Sequence, residues 1–203
     1  MEYYHDNITR QSYSVVQTLN REYNFVLIGG WAVFLYAGTL KSKDIDIIID
    51  YGALTKLKEN FDVLKNERLK KYEIKHFSGV DIDIYLPYYS DLGINADEVM
   101  KNTLNINSFK VPQLELLFML KLYAYTARRG SLKGKKDELD IFSLAFLPQF
   151  DWGKYQTLIV QHNFGDYHTN FVGLLSRTIE IKELSVNRQK MAKIKKEIVA
   201  KLG

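Results

Sequence analysis

The chain has no cysteine, which excludes disulfides, thiolate metal sites and cysteine nucleophiles. Proline is scarce, with three in 203 residues, so long regular elements can run uninterrupted. No apolar run approaches the roughly 18 residues that a membrane span needs. The first residues, Met1-Glu2-Tyr3-Tyr4-His5-Asp6, contain neither a basic stretch nor an apolar one, unlike a secretory signal. Together these absences lead us to expect a soluble, cytoplasmic protein that does not contact a membrane. The four histidines, His5, His76, His162 and His168, fall at no metal-ligand spacing, and no Ser-His-Asp arrangement can be drawn.

Charge is what the chain has in quantity. Lys and Arg number 28 against 24 Asp and Glu, a net charge of +4, which tilts weakly toward a polyanionic partner such as RNA. Much of the excess lies in Arg188–Lys201, where a solvated helix face is the plainer explanation. Periodicity predicts helices over Asn7–Arg21, Trp31–Tyr36 and Leu54–Phe61. It predicts strands over Asn24–Ile28, Asp44–Asp50, Lys71–Phe77, Val80–Leu86 and Leu104–Val111. Ser78-Gly79 reads as a hairpin turn. After Pro112 the pattern becomes helical: Gln113–Arg128 is apolar nearly all round, as in a central buried helix, and Lys136–Leu147 and two or three further helices follow. The expected architecture is α+β, with residues 1–111 forming a mixed sheet flanked by helices and 112–203 a helical bundle.

The chemistry is suggested by two strands with the same pattern. In Asp44-Ile45-Asp46-Ile47-Ile48-Ile49-Asp50, residues two apart share a face, so Asp44, Asp46 and Asp50 lie together, opposite Ile45, Ile47 and Ile49. Asp81-Ile82-Asp83-Ile84-Tyr85 repeats the device. Aspartate is a poor strand former and adjacent like charges repel. If these strands are neighbours, three or four carboxylates converge on one patch, and divalent cations would compensate them. Carboxylates suit Mg2+ or Mn2+, and two such ions about 4 Å apart clamp the oxygens of a phosphoryl transfer. Ahead of the first strand, Gly29-Gly30 lies between a strand and a helix, where backbone amides can approach a phosphate.

Gly29-Gly30-Trp31-Ala32-Val33 followed by Lys41-Ser42-Lys43-Asp44-Ile45-Asp46-Ile47 resembles the DNA polymerase β-like nucleotidyltransferase superfamily, nearest its AbiEii-type toxins and minimal nucleotidyltransferases. Lys121, Arg128 and Lys136-Asp137 with Asp140 resemble the group's helical motif, so the likeness runs from about Phe25 to Leu147. The resemblance implies transfer of a nucleotide from an NTP, ATP among the candidates, to an acceptor hydroxyl on RNA, tRNA, a protein or a small molecule. Asp44 and Asp46 would hold the metals, with Asp83, or else Asp81, as the further ligand. Gly29 and Gly30 would cradle phosphate, and Lys41 or Lys43 would add a point charge where relatives commonly have an arginine. Lys121 would contact the triphosphate, and Asp137 would act as a support or base. The group also includes toxins paired with a cognate antitoxin. Competing readings are a catalytically silent nucleotide-binding module and a metal-dependent nuclease. Asp137 and Asp140 could instead cap their helix, and Lys121 could snorkel to the surface. Acceptor and oligomeric state are not legible in the sequence.

Overall fold

The computed structural model describes residues 2–75 and 79–202. It separates into two compact units, Met1–Gln113 and Leu114–Gly203. Unit 1 runs α1 (Glu2–Glu22), β1 (Val26–Ile28), α2 (Gly29–Ala37), β2 (Ile45–Ile48), α3 (Tyr51–Asn60), β3 (Val63–Asn66), β4 (Lys71–Lys75), β5 (Asp81–Tyr85), α4 (Ala96–Lys101), β6 (Thr103–Ile106) and β7 (Phe109–Pro112). Five strands form one mixed sheet in the order β1-β2-β5-β4-β3, in which only the β2–β5 pair is parallel. The architecture is α+β, as the alternation of patterns predicts.

The period-2 pattern sorts the two faces of the sheet. Ile45, Ile47, Ile74, Ile82 and Ile84 are all buried on one side. Trp31 of α2 is buried as well, and its indole N–H donates to Ser12 Oγ at 2.8 Å, which satisfies the one polar atom of a large apolar group. The opposite side carries Asp46 and Asp83.

Three expectations are corrected. The Asp44–Asp50 strand is shorter, Ile45–Ile48, because Ile48 and Ile49 are both buried and break the alternation. Asp50 is consequently not a member of the acidic face. It is the N-cap of α3, its carboxylate accepting from the Ala53 N–H at 2.7 Å. Asp50→Ala should cost about 1 kcal/mol of stability, as urea unfolding would read. The Leu104–Val111 segment is two strands, β6 and β7, paired as a hairpin. The proposed turn at Ser78-Gly79 and His76 lie, apart from Gly79, outside the described residues.

Unit 2 contains α5 (Leu114–Arg128), α6 (Leu132–Ala145), α7 (Trp152–Gln161), α8 (Gly165–Arg177), a 3-10 turn at Lys182–Leu184 and α9 (Arg188–Leu202). Its core centres on Phe118 of α5, whose ring meets Phe150, Tyr155 and Phe171 edge-on at 5.0–5.1 Å. A helix that buries residues on every side, as α5 does from Leu114 to Leu122, belongs at such a centre. No described helix is long and apolar enough to cross a membrane.

Candidate active site

The parallel β2–β5 pairing sets Asp46 directly opposite Asp83, with Ile45 opposite Ile82 and Ile47 opposite Ile84. The next strand extends the row, because Glu73 of β4 stands opposite Asp83. Three carboxylates thus lie side by side across the sheet, at positions where like charges are destabilising unless compensated. Part of the compensation is visible. Lys71, nearly enclosed at 11% side-chain exposure, places Nζ 2.6 Å from Asp83 Oδ2 and 2.9 Å from Glu73 Oε1. Asn66 Nδ2 donates to the same Glu73 oxygen at 3.2 Å. Tyr85, next on the Asp83 face, directs its hydroxyl to Asp46 Oδ1 at 3.4 Å.

The glycine turn closes the other side of Asp46. Ile28 of β1 pairs with Asp46, and the chain then turns at Gly29 (φ +65°) into α2. A Cβ on Gly29 would lie 2.1 Å from Asp46 Oδ2, so any side chain there would have to displace the carboxylate. Ile28 provides no side-chain cap for α2. The positive end of that helix therefore adjoins Asp46, in the manner of an anion-binding terminus. We expect Gly29→Ala to displace the Asp46 carboxylate and to add about 1–2 kcal/mol of strain, measurable by thermal melting.

The remaining expected site residues fall as follows. Gly30 is buried in the first turn of α2. Asp44 and Lys43 lie in the bend before β2, Asp44 partly buried and Lys43 exposed. Asp81 is at the far end of β5, opposite Lys75 and ion-paired to it at 2.8 Å. The predicted convergence of three or four aspartates is thus corrected: among the described residues, no group of three or more His, Asp or Glu is arranged to hold a metal ion. The Asp46–Asp83 pair fits one hard divalent cation in donor type and juxtaposition, with Glu73 engaged by Lys71. Lys71 and Glu73 were not anticipated, although Lys71-Tyr72-Glu73-Ile74-Lys75 alternates charge with bulk and so announces a charged face.

Burial, followed by the charge of Asp46, pushes the Asp83 carboxyl up to about 6, against the opposing pull of Lys71. Between about pH 4 and 6 the native protein then keeps a proton that the unfolded chain has released. Its stability should therefore fall as pH rises through that window and level off above it. The difference from an ordinary carboxyl corresponds to at most about 3 kcal/mol. The check is metal-free denaturation at several pH values, where Asp83→Asn should flatten the slope.

Lys121 and Asp137 belong to unit 2, where they form a buried ionic network. Lys121 Nζ lies 2.6 Å from Asp140 Oδ2 and 3.5 Å from Asp137 Oδ1. Arg128 holds Asp137 with two hydrogen bonds of 2.9 Å. Burial raises the Asp137 carboxyl despite both cations. The capping alternative for Asp137 and Asp140 does not hold. Ser131 caps α6, accepting from the Gly134 N–H at 3.0 Å, and both aspartates lie further inside the helix. Nor does Lys121 snorkel, being 7% exposed.

Solved structures that share this fold at low sequence identity are described as nucleotidyltransferases or as nucleotidyltransferase-like. A presumed nucleotidyltransferase from H. pylori superposes with a TM-score of 0.51 at 15% identity, over 98% of this chain and 95% of that one. JHP933 from Helicobacter pylori gives 0.49 at 16% identity, over 98% and 92%. An antigenic nucleotidyltransferase-like protein from Paracoccidioides brasiliensis gives 0.44 at 20%, over 89% and 97%. No protein-family model and no curated protein matches the sequence.

Proposed function

We propose that unit 1 binds a nucleoside triphosphate together with Mg2+ or Mn2+ and transfers the nucleotide to an acceptor hydroxyl. In this reaction the acceptor oxygen forms a bond to the α-phosphorus, the bond from that phosphorus to the bridging oxygen breaks, and pyrophosphate leaves. The acceptor proton passes to solvent or a nearby carboxylate. The observation that carries this reading is the opposition of Asp46 and Asp83 on adjacent parallel strands, next to a glycine turn too tight for any side chain.

Asp46 and Asp83 would hold the cation, with water and triphosphate oxygens completing its coordination. Asp83 is preferred to Asp81 because it faces Asp46, whereas Asp81 faces Lys75. When bound, a divalent cation supplies charge neutralisation to the triphosphate and lowers the pKa of the acceptor oxygen. Gly29, Gly30 and the uncapped start of α2 would seat phosphate oxygens, with Lys43 adding charge at the rim. Positioning and charge neutralisation carry most of such a reaction. Lys121 and Asp137 enter this mechanism as supports of α5 and α6.

Among acceptors, RNA is favoured by the chain's positive net charge of +4. Helix α9 holds six of the 28 Lys and Arg and one of the 24 Asp and Glu, so the positive net charge resides there. The test is incubation with each α-32P-labelled NTP and total RNA or protein extract. Label retained on nuclease-sensitive RNA, and absent with Asp46→Asn, supports the reading. Absence of labelled product with every NTP and acceptor contradicts it, and metal-dependent shortening of RNA without label would indicate a nuclease.

A further inference from the structure

Lys71 occupies a particular position in the acidic row. The row runs Asp46, Asp83, Glu73 across β2, β5 and β4, and a single ammonium bridges the second and third members, at 2.6 and 2.9 Å. Asp83 is therefore already paired with an internal cation, on the carboxylate that the proposed function assigns to a metal. Glu73 has no counterpart in that mechanism. Yet it is held in place by Asn66 and engages Lys71 from the side away from Asp46. Lys75, the next cation on the β4 face, is committed to Asp81.

We infer that Lys71 is a built-in competitor of the divalent cation, and that Glu73 is the station to which it withdraws. With no metal bound, Lys71 neutralises Asp83 and keeps the row from repelling itself apart. When a cation takes Asp83, Lys71 relaxes wholly onto Glu73, so that each carboxylate of the row keeps a cation beside it. An ion pair at this depth is weakly screened by solvent, so the exchange affects affinity measurably. The consequence is a site that binds a divalent cation weakly alone and more tightly when a triphosphate contributes further ligands. Lys71 and Glu73 are positioning residues, and this inference rests on the proposed metal site.

The test is the Mn2+ affinity of four proteins, native, Lys71→Met, Glu73→Gln and the double variant, by calorimetry and by the electron paramagnetic resonance of free Mn2+. Lys71→Met should tighten Mn2+ about tenfold, and Glu73→Gln should weaken it several-fold, a coupling of the size contacting charges show. In the Lys71→Met background, Glu73→Gln should have no effect, because Glu73 acts only through the lysine. If Glu73→Gln weakens Mn2+ equally in both backgrounds, the effect is the general field of a nearby charge and the withdrawal model is overturned. Unchanged affinity in Lys71→Met overturns it as well. Should Lys71→Met fold poorly, Lys71→Gln serves in the same cycle. Native protein that binds no Mn2+, with or without a non-hydrolysable NTP, overturns the metal site itself, a result distinct from binding without coupling.

Discussion

Asp46→Asn is expected to reduce nucleotide transfer about a thousandfold while leaving the protein as stable as before, or more so. The loss follows from removing one of two carboxylates that would hold the cation, whose charge stabilisation is worth several kcal/mol at about 1.4 kcal/mol per tenfold in rate. The stability gain follows from the same geometry. Asp46 stands opposite Asp83, which stands opposite Glu73, and Lys71 pairs with the last two. Relieving one cross-strand repulsion is worth about 0.2–1 kcal/mol, or up to about 4 °C in Tm. A residue required only for folding would move both readouts downward. Pyrophosphate release and a thermal melt on the same preparation separate the two.

The largest loss of stability is expected in unit 2, from Asp140→Ala. Asp140 is fully buried, and Lys121, its partner at 2.6 Å, is buried with it. Removing the carboxylate takes from a buried ammonium its 2.6 Å partner and leaves the longer contact to Asp137, which Arg128 already holds. Breaking one side of a buried pair costs about 3–5 kcal/mol, whereas replacing both members by apolar groups is often neutral. Lys121→Met combined with Asp140→Leu should therefore recover most of the stability in urea unfolding. If the single variant is as stable as the native protein, the network does not hold α5 to α6.

The parts of this fold legible in the sequence are those set by local periodicity. Asp81–Tyr85 alternates buried and half-buried residues as its sequence alternates Ile with polar groups. In Gly29-Gly30, Gly29 marked a real turn, because a side chain there would displace the Asp46 carboxylate. What stayed hidden depends on partners distant in sequence or on unusual turn chemistry. The β6–β7 hairpin turns through Asn107 and Ser108, both at positive φ, a conformation that a glycine would have advertised. The start of α6 rests on Ser131, and nothing in the apolar pattern distinguishes it from loop residues nearby. In the candidate site, the aspartates were visible but their pairing was not. Only the register of β2, β5 and β4 shows that Asp46 and Asp83 meet, that Asp81 meets Lys75 instead, and that Lys71 and Glu73 complete the row.

The most direct measurement is a calorimetric titration of a non-hydrolysable nucleoside triphosphate into native and Asp46→Asn protein, each with and without Mn2+. The Asp46–Asp83 assignment predicts Mn2+-dependent binding to the native protein and its loss in the variant. Equal binding by both proteins, or none by either, would contradict it.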